Sequence, residues 1–461
     1  MKVFIDTYGC AKNEYDSSVL AASLVDRGCS IVDDTRDADV IILNTCGFIE
    51  DAKKESIERI FDLAELREKG QKLIVTGCLS ERYHKELAEE IPEVDMFFGV
   101  NDYDDIPDII LSEDKSDTGS DKVGCILDKL PYRKRVIEEG SHFAYMKIAE
   151  GCYNACSFCA IPGIRGTFRS KKMEDCVKEA EDLAANGIKE LILIAQDTSQ
   201  YGRDLYGEVR LPQLLRKLCR VEGIEWIRLM YVYDNGITDE LIETIASEPK
   251  ICNYIDMPIQ HISDNVLKMM RRRSSGDSIR EVIRKLRARI PDVHIRTTLL
   301  VGFPGETQDD IDELIDFIDT FDIDRLGAFA FSEEEGTPSF TMEGKIPEEE
   351  RRARRDLVMQ HQQAVSEKLN ERKIGKVYEV IVDECIELDA EGIVDDFNDA
   401  DEETLSRTVN VYSGRTRYDA PEIDCAVTFS TNKMDLVPGD IVKVRITDTY
   451  EYDLDGEEVE K

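Results

Sequence analysis

From residue 2 to about residue 110, short aliphatic runs alternate with stretches of helical period: 3–5 then 16–25, 40–43 then 52–66, 73–75 then 81–90. Such alternation predicts a parallel sheet covered by helices on both faces. The same grammar restarts near residue 143, with strand-like runs at 143–149, 190–195, 226–231, 254–257, 294–301 and 325–331. Helical segments separate them. In 173–186, Val177, Ala180 and Ala184 share a face and Gly187 supplies a stop; in 309–320, Ile311, Leu314, Ile315 and Ile318 recur at helical spacing. Six βα units predict a partial (β/α)6 barrel that need not close to eight. After a charged helix at 347–371 the period changes. Short strands at 377–383, 408–412, 426–429 and 441–447, with Pro438-Gly439-Asp440 as a turn, predict a small antiparallel β-barrel.

The chain is therefore α/β, with three parts: an N-terminal parallel-sheet domain at 1–111, a partial barrel at 142–371 and a small β-barrel at 376–447. The polar stretch 112–121 opens a linker running to 141, and an acidic tail runs to 461. The length of 461 residues suits three domains at roughly 150 residues each. Residues 389–403 form an acidic insertion that is expected to be mobile, and no solenoid-type repeat is visible. Lys and Arg number 59 against 97 Asp and Glu, a net charge of −38. Phosphate binding is carried by Lys and Arg, so a chain this acidic is a poor sequence-independent binder of nucleic acid and a basic partner is expected. No stretch has the ~18–20 apolar residues of a membrane span, and the first residues lack a signal peptide's apolar core. A cytoplasmic protein with no membrane partner is the expectation. Its 13 cysteines then point to metal or catalysis before disulfides.

The strongest chemical signal is Cys152-Tyr-Asn-Ala-Cys156-Ser-Phe-Cys159, in the loop after the first barrel strand. A four-thiolate zinc site would want a fourth cysteine nearby, and none follows. Three thiolates on a 4Fe–4S cubane leave one iron open for a substrate or cofactor. The competing reading is a partly buried loop with fortuitous thiols. Cys10, Cys46 and Cys78 each follow a predicted strand of the first domain, so in a parallel sheet all three lie at its carboxyl edge, where ligands bind. Convergence at one point competes there with three independent thiols in βα turns. Most of Cys29, Cys125, Cys176, Cys219, Cys252, Cys385 and Cys425 read as small core hydrophobes.

The trio Cys152, Cys156 and Cys159, with Phe158 before the last cysteine, resembles the radical S-adenosylmethionine (SAM) superfamily. Combined with Thr7-Tyr-Gly-Cys10-Ala-Lys-Asn13, Asn44-Thr-Cys46-Gly and Thr76-Gly-Cys78, it is similar to the methylthiotransferase branch over nearly the whole chain. The resemblance implies an N-terminal methylthiotransferase domain, a radical SAM barrel and a C-terminal TRAM domain. Two member types are known, one acting on tRNA adenosine and one on an aspartate of a ribosomal protein. The segments 195–202, 159–166 and 414–424 resemble the protein-modifying type, departing from it at Cys425 and in the insertion 389–403. Residues 376–461 carry 24 acidic and 8 basic residues, a net of −16, which suits docking on a basic protein better than on tRNA.

What the resemblance implies is methylthiolation of the aspartate β-carbon in the small-subunit ribosomal protein number twelve. It implies two 4Fe–4S clusters. One, on Cys152, Cys156 and Cys159, chelates S-adenosyl-L-methionine and cleaves it reductively, after which the deoxyadenosyl radical removes the β-hydrogen. The other, on Cys10, Cys46 and Cys78, holds the inserted sulfur. A second S-adenosylmethionine supplies the methyl group, and an electron donor is required. Gln196 and Asp197, at the end of the second barrel strand, are candidates to hold the cofactor's amino group, with turn capping as the alternative. Arg296 and the turn through Gly302 and Gly305 are candidates for the adenosine side. Gln260 and His261 face the same end, His261 most simply as a structural residue. Arg271-Arg272-Arg273 reads as a solvated helix face or, alternatively, an RNA contact. Two rivals are the tRNA-modifying activity and a two-cluster electron-transfer or RNA-binding protein without catalysis. All six proposed ligands precede residue 374, so removal of the C-terminal module is expected to spare cofactor cleavage.

Overall fold

The computed structural model describes residues 1–112, 130–386, 410–433 and 435–459. Cys125, most of the linker 112–141 and the acidic insertion 389–403 lie outside them.

Strands β1 (Lys2–Thr7), β2 (Ser30–Ile31), β3 (Val40–Thr45), β4 (Lys72–Gly77) and β5 (Met96–Phe97) form one sheet in the order β2-β1-β3-β4-β5. Every pairing in it is parallel. β3 is buried at all six positions because both faces are covered. Val40 and Ile42 enter one core with Leu20 and Leu24 of helix Ala11–Asp26. Ile41 and Leu43 enter the opposite core with Ile60, Leu63, Leu79 and Leu87 of helices Glu50–Leu66 and Cys78–Glu90.

The central part begins with β6 (Phe143–Lys147) and a small antiparallel pair, β7 (Ala149–Glu150) with β8 (Arg169–Ser170). β9 (Glu190–Ile194), β10 (Trp226–Leu229), β11 (Ile251–Asp256), β12 (His294–Val301) and β13 (Arg325–Ala330) complete an open parallel sheet, ordered β13-β12-β11-β10-β9-β6. These are the six strands read from the sequence, and the barrel stays open. The intervening helices follow their patterns closely: Met173–Ala185 stops before Gly187 (φ +91°), and Thr307 caps Gln308–Phe321. Leu191 and Leu193 of β9 face the helices, whereas Ile192 and Ile194 face inward, toward Trp226, Tyr254, Ile381 and Ala420.

Ile381 and Ala420 belong to the C-terminal part, reached through helix Glu348–Glu371. There β14 (Val377–Ile386), β15 (Asn410–Thr416), β16 (Val427–Thr431), β17 (Ile441–Thr449) and β18 (Leu454–Glu458) close a barrel in the order β14-β15-β16-β18-β17. β18 lies within the stretch read from sequence as an acidic tail. Leu454 is its one buried residue, so no alternation marks it in the sequence; pairing to β16 and β17 makes it a strand.

Candidate active site

Cys46 follows the last residue of β3 directly, Cys78 follows the last residue of β4, and Cys10 stands three residues beyond β1 at the head of helix Ala11–Asp26. All three thus occupy one carboxyl edge, as their positions in the sequence predict. Gly77 (φ +100°) turns the chain into Cys78 where a Cβ would lie 2.4 Å from Asn44 Oδ1. Gly9 (φ +122°) brings its loop so near that an added Cβ would sit 3.0 Å from the Cys46 Cβ. Asn13 ties the loops together, its Nδ2 donating to the carbonyls of Tyr8 (2.8 Å) and Thr45 (3.0 Å). The thiols lie within electrostatic reach of one another. Burial first, then Cys78 and Cys10 as neighbours, push the Cys46 thiol up to about 12.

The second trio occupies the loop between β7 and helix Ile161–Arg165. Gly151 (φ +78°) starts the loop where a Cβ would stand 2.2 Å from the Thr167 carbonyl oxygen. Ser157 anchors its middle: its N–H donates to Met270 O at 2.9 Å and its Oγ to Met269 O at 2.8 Å. The Asn154 N–H donates to Cys152 Sγ at 3.3 Å, and Cys156 Sγ lies 3.8 Å from Tyr233 Oη. Burial pushes Cys152 up to about 11, with Asp197 and Cys156 adding to the rise, and pushes Cys159 up to about 12, with Cys156 and Cys152 adding to it.

Among the described residues, no group of three or more His, Cys, Asp or Glu side chains is arranged to hold a single metal ion. A polynuclear iron–sulfur cluster makes a different demand, since each cysteine reaches a separate iron. The donor set fits it. Each trio brings three cysteines to one place, and burial raises Cys46 and Cys78 in one and Cys152 and Cys159 in the other, so that binding iron in place of their protons relieves a real electrostatic cost.

The remaining predicted residues separate into two groups. Phe158 packs with Val266, Met270, Phe303 and Phe331, beside the second trio. Asp197 accepts from Asn154 Nδ2 (2.7 Å) and also caps the turn that follows, through Ser199 N–H (3.1 Å); burial raises its carboxyl. Gln196 donates to Glu150 Oε1 (2.7 Å) and leaves its own Oε1 buried without a partner. These three surround the SAM-type loop. Arg296 is committed elsewhere, to Asp256 (2.9 Å) and Asp424 (3.4 Å). Gly302 and Gly305 take φ of +75° and +84°, but the space above them holds Arg351 and Met269. Those glycines therefore admit a neighbouring helix and a methionine. His261 is fully buried, its Nδ1 accepting from the Ser263 N–H, and burial lowers it to about 4.

The triple-arginine run corrects one reading. Arg271 and Arg273 are exposed, but Arg272 is buried beyond the end of helix Asp264–Met269. Its guanidinium lies 3.9 Å from the Tyr233 ring centroid, 3.6 Å from Asp234 and within electrostatic reach of Cys159. Like neighbours in sequence face opposite ways in a turn, which periodicity does not resolve.

The sequence singled out none of the groups that join the two trios. Arg165, six residues after Cys159, is fully buried, and its Nη2 donates to Cys78 Sγ (3.2 Å) and Asn13 Oδ1 (2.9 Å). Its Nη1 meets Asp16 (2.5 Å) and Glu150 (3.3 Å), and Lys147 pairs with the same two carboxylates. The loop of one trio thus bonds directly to a thiol of the other. Arg165 and Asn13 do sit inside the two motifs quoted above, which was the only signal.

Segment 414–424 is not displayed for docking. Arg415 bonds to Glu190 (2.9 Å) and Asp383 (2.9 Å), Asp419 to Arg325 (2.8 Å), and Tyr254 Oη donates to Asp424 (2.6 Å). The segment closes the inner face of the open sheet.

Residues 2–99 match the family model described as Uncharacterized protein family UPF0004, residues 146–318 the Radical SAM superfamily and residues 374–459 the TRAM domain. The chain is 45% identical over 462 residues to "Ribosomal protein uS12 methylthiotransferase RimO" of Clostridioides difficile (strain 630), covering 99% of this chain and 98% of that protein. The protein of the same description from Clostridium tetani is 45% identical over 464 residues, with the same coverage. Among solved structures, the radical S-adenosylmethionine methyltransferase TsrM from Kitasatospora setae, with cobalamin and a [4Fe-4S] cluster bound, gives a TM-score of 0.56 at 15% identity over 73% of each chain. That likeness is one of fold.

Proposed function

Because the chain belongs to the ribosomal protein uS12 methylthiotransferase family and carries its radical SAM domain, we propose that it methylthiolates uS12, at the β-carbon of an aspartate. The observation that carries the reading is Arg165, which bonds the loop of Cys152, Cys156 and Cys159 to Cys78 of the other trio. A reaction that makes a carbon radical and then hands it a sulfur needs both sources at one place, and this contact supports a shared site. When bound, a cluster on the Cys152 trio supplies an electron and an open iron for S-adenosylmethionine, and one on the Cys10 trio supplies the sulfur. The protein's own contribution is positioning. Ser157 fixes the SAM-type loop to residues 269–270, Asn154 and Arg272 place hydrogen-bonding and positive groups beside its thiols, and Asn13 holds the auxiliary loops in register. The excess of acidic residues in 376–461 supports a basic partner through steering of encounter. No observation favours the tRNA-directed reading, since the relatives named above are uS12 enzymes.

The test is mass measurement of uS12 after incubation with anaerobically reconstituted enzyme, S-adenosylmethionine and a reductant. The expected result is the mass gain of one methylthio group on a peptide containing aspartate. Reconstitution should give about eight irons per chain, and replacing Cys152, Cys156 and Cys159 together by Ala should leave about four. Cys156→Ala should abolish 5′-deoxyadenosine formation, whereas Cys46→Ala should keep some cleavage and form no product. Methylthiolated product at the wild-type rate from Cys46→Ala would overturn the sulfur-donor role.

A further inference from the structure

Lys12 follows Cys10 by two residues, in the first turn of helix Ala11–Asp26, and is only 8% exposed. Its Nζ stands 3.5 Å from the centroid of the Tyr231 ring, just beyond the carboxyl end of β10. Tyr231 has a left-handed backbone (φ 57°), a conformation that costs a residue with a Cβ and persists only when its surroundings impose it. Here the Tyr231 N–H donates to Asp256 Oδ2 (2.9 Å), while its carbonyl accepts from the Thr198 N–H (3.0 Å) and Oγ1 (3.1 Å). The ring is thereby held against the ammonium, in the seam between the N-terminal sheet and the barrel.

Lys12 has no salt-bridge partner among the described residues. Glu150 is near enough to act on it electrostatically, but that carboxylate is bonded to Lys147 (2.5 Å), Gln196 (2.7 Å) and Arg165 (3.3 Å). Asp16 is held by Lys147 and Arg165. The Cys10 thiol is the other electrostatic neighbour of Lys12, and Cys78 of the same trio already accepts from Arg165. Both carboxylates near Lys12 are therefore taken by Lys147 and Arg165. A buried ammonium set against an aromatic ring, with no carboxylate bonded to it, is a binding group for an anion.

We infer that Lys12 is a specificity residue that receives the carboxylate of the substrate aspartate. The inference rests on the uS12 reading above and names the group in this chain that distinguishes an acidic side chain from a neutral one. The aspartate carboxyl is bonded to the β-carbon that reacts, so a cation placed between the two trios fixes that carbon relative to both.

The test is a double-mutant cycle in binding, with iron-loaded enzyme and S-adenosylmethionine present. Wild-type and Lys12→Met enzymes are each titrated with uS12 and with uS12 whose modified aspartate is changed to asparagine. Either change alone should weaken Kd roughly 10- to 100-fold, the range of a charge-assisted hydrogen bond, and both together should cost little more than one. Lys12→Arg, which keeps the charge, should recover part of the affinity. Additive losses overturn the inference, as does loss of iron from the Lys12→Met enzyme, because the lysine then serves the cluster. Failure of the wild-type enzyme to modify uS12 would instead overturn the functional reading, and this inference with it.

Discussion

The open inner face of the six-stranded sheet is covered from two sides, and the two seams differ in how their charges are matched. On the C-terminal side, Glu190, Asp383, Asp419 and Asp424 each meet a guanidinium, from Arg228, Arg415, Arg325 and Arg296. Ile381 and Ala420 add apolar packing against Ile192, Ile194 and Trp226. On the N-terminal side, Lys147 and Arg165 take Asp16 and Glu150, Lys53 and Arg82 share Glu334, Lys12 is left against the Tyr231 ring, and the contacts include a thiol. A seam whose charges balance internally has no need of a ligand. One that holds a surplus cation beside six cysteines is built for something that arrives later. The C-terminal seam is an internal joint, and the N-terminal seam is where the proposed chemistry would take place.

The largest expected effect tests the joint. Truncation after Ile374 exposes Glu190, Arg228 and Arg325, all buried, together with the apolar face around Trp226. The truncated chain should lose cooperative thermal unfolding, and cofactor cleavage with it, contrary to what the positions of the cysteines alone suggest. A truncated protein that melts near the full-length temperature and still cleaves S-adenosylmethionine would erase the distinction between the seams.

A single substitution sharpens the same point. Glu190→Ala leaves Arg228 and Arg415 buried without their shared carboxylate, at a cost of about 3–5 kcal/mol. Urea unfolding at unchanged slope should show it as a lower midpoint.

In the working seam, Arg165→Lys should cost less stability, about 1.5–3 kcal/mol for the charged hydrogen bonds lost. Its signature lies in the metal. Four of the eight irons should pass to a chelator faster than in the wild type, since Cys78 loses its guanidinium donor. Unchanged chelation kinetics, with stability lowered as much as by Glu190→Ala, would make Arg165 a purely structural residue.

The smallest effect lies where the two seams approach each other. Glu14 is exposed on its helix, but desolvation by its neighbours and the carboxylate of Glu422 push it up from its ordinary value near 4.5 to about 7. The folded state then holds a proton that the unfolded chain has released, so the penalty grows from about pH 4.5 and is complete above pH 7. Glu14→Gln should stabilise by about 1 kcal/mol at pH 8, solvent screening having reduced the full shift, and by nothing at pH 4. Equal stabilisation at both pH values would mean that the carboxylates do not interact.

Local pattern alone was enough for several features. Alternation of period 2 and period 3.6 located the three central strands of the N-terminal sheet, the six of the central sheet and the helices between them, because each element buries its own stripe of side chains, whereas the two-residue edge strands β2 and β5 are too short to carry a period. The cysteines were legible for a related reason: a residue just past a strand in a parallel sheet must stand at the carboxyl edge, so topology put Cys10, Cys46 and Cys78 on one edge, and the family resemblance brought them to one point. Tertiary structure decided whatever depends on who sits opposite. Arg272 turns inward while Arg271 and Arg273 do not, because a turn has no period. β18 exists because β16 and β17 supply its hydrogen bonds, though one apolar residue marks it. Segment 414–424 was read only as a family signature, yet its charges find buried partners up to 225 residues away. Arg165 and Lys12 were unremarkable basic residues until folding set one against Cys78 and the other against Tyr231. Charge and hydrogen bonding act over a few ångströms in space, whatever the distance along the chain, so sequence spacing names the candidates and only the fold says which of them meet.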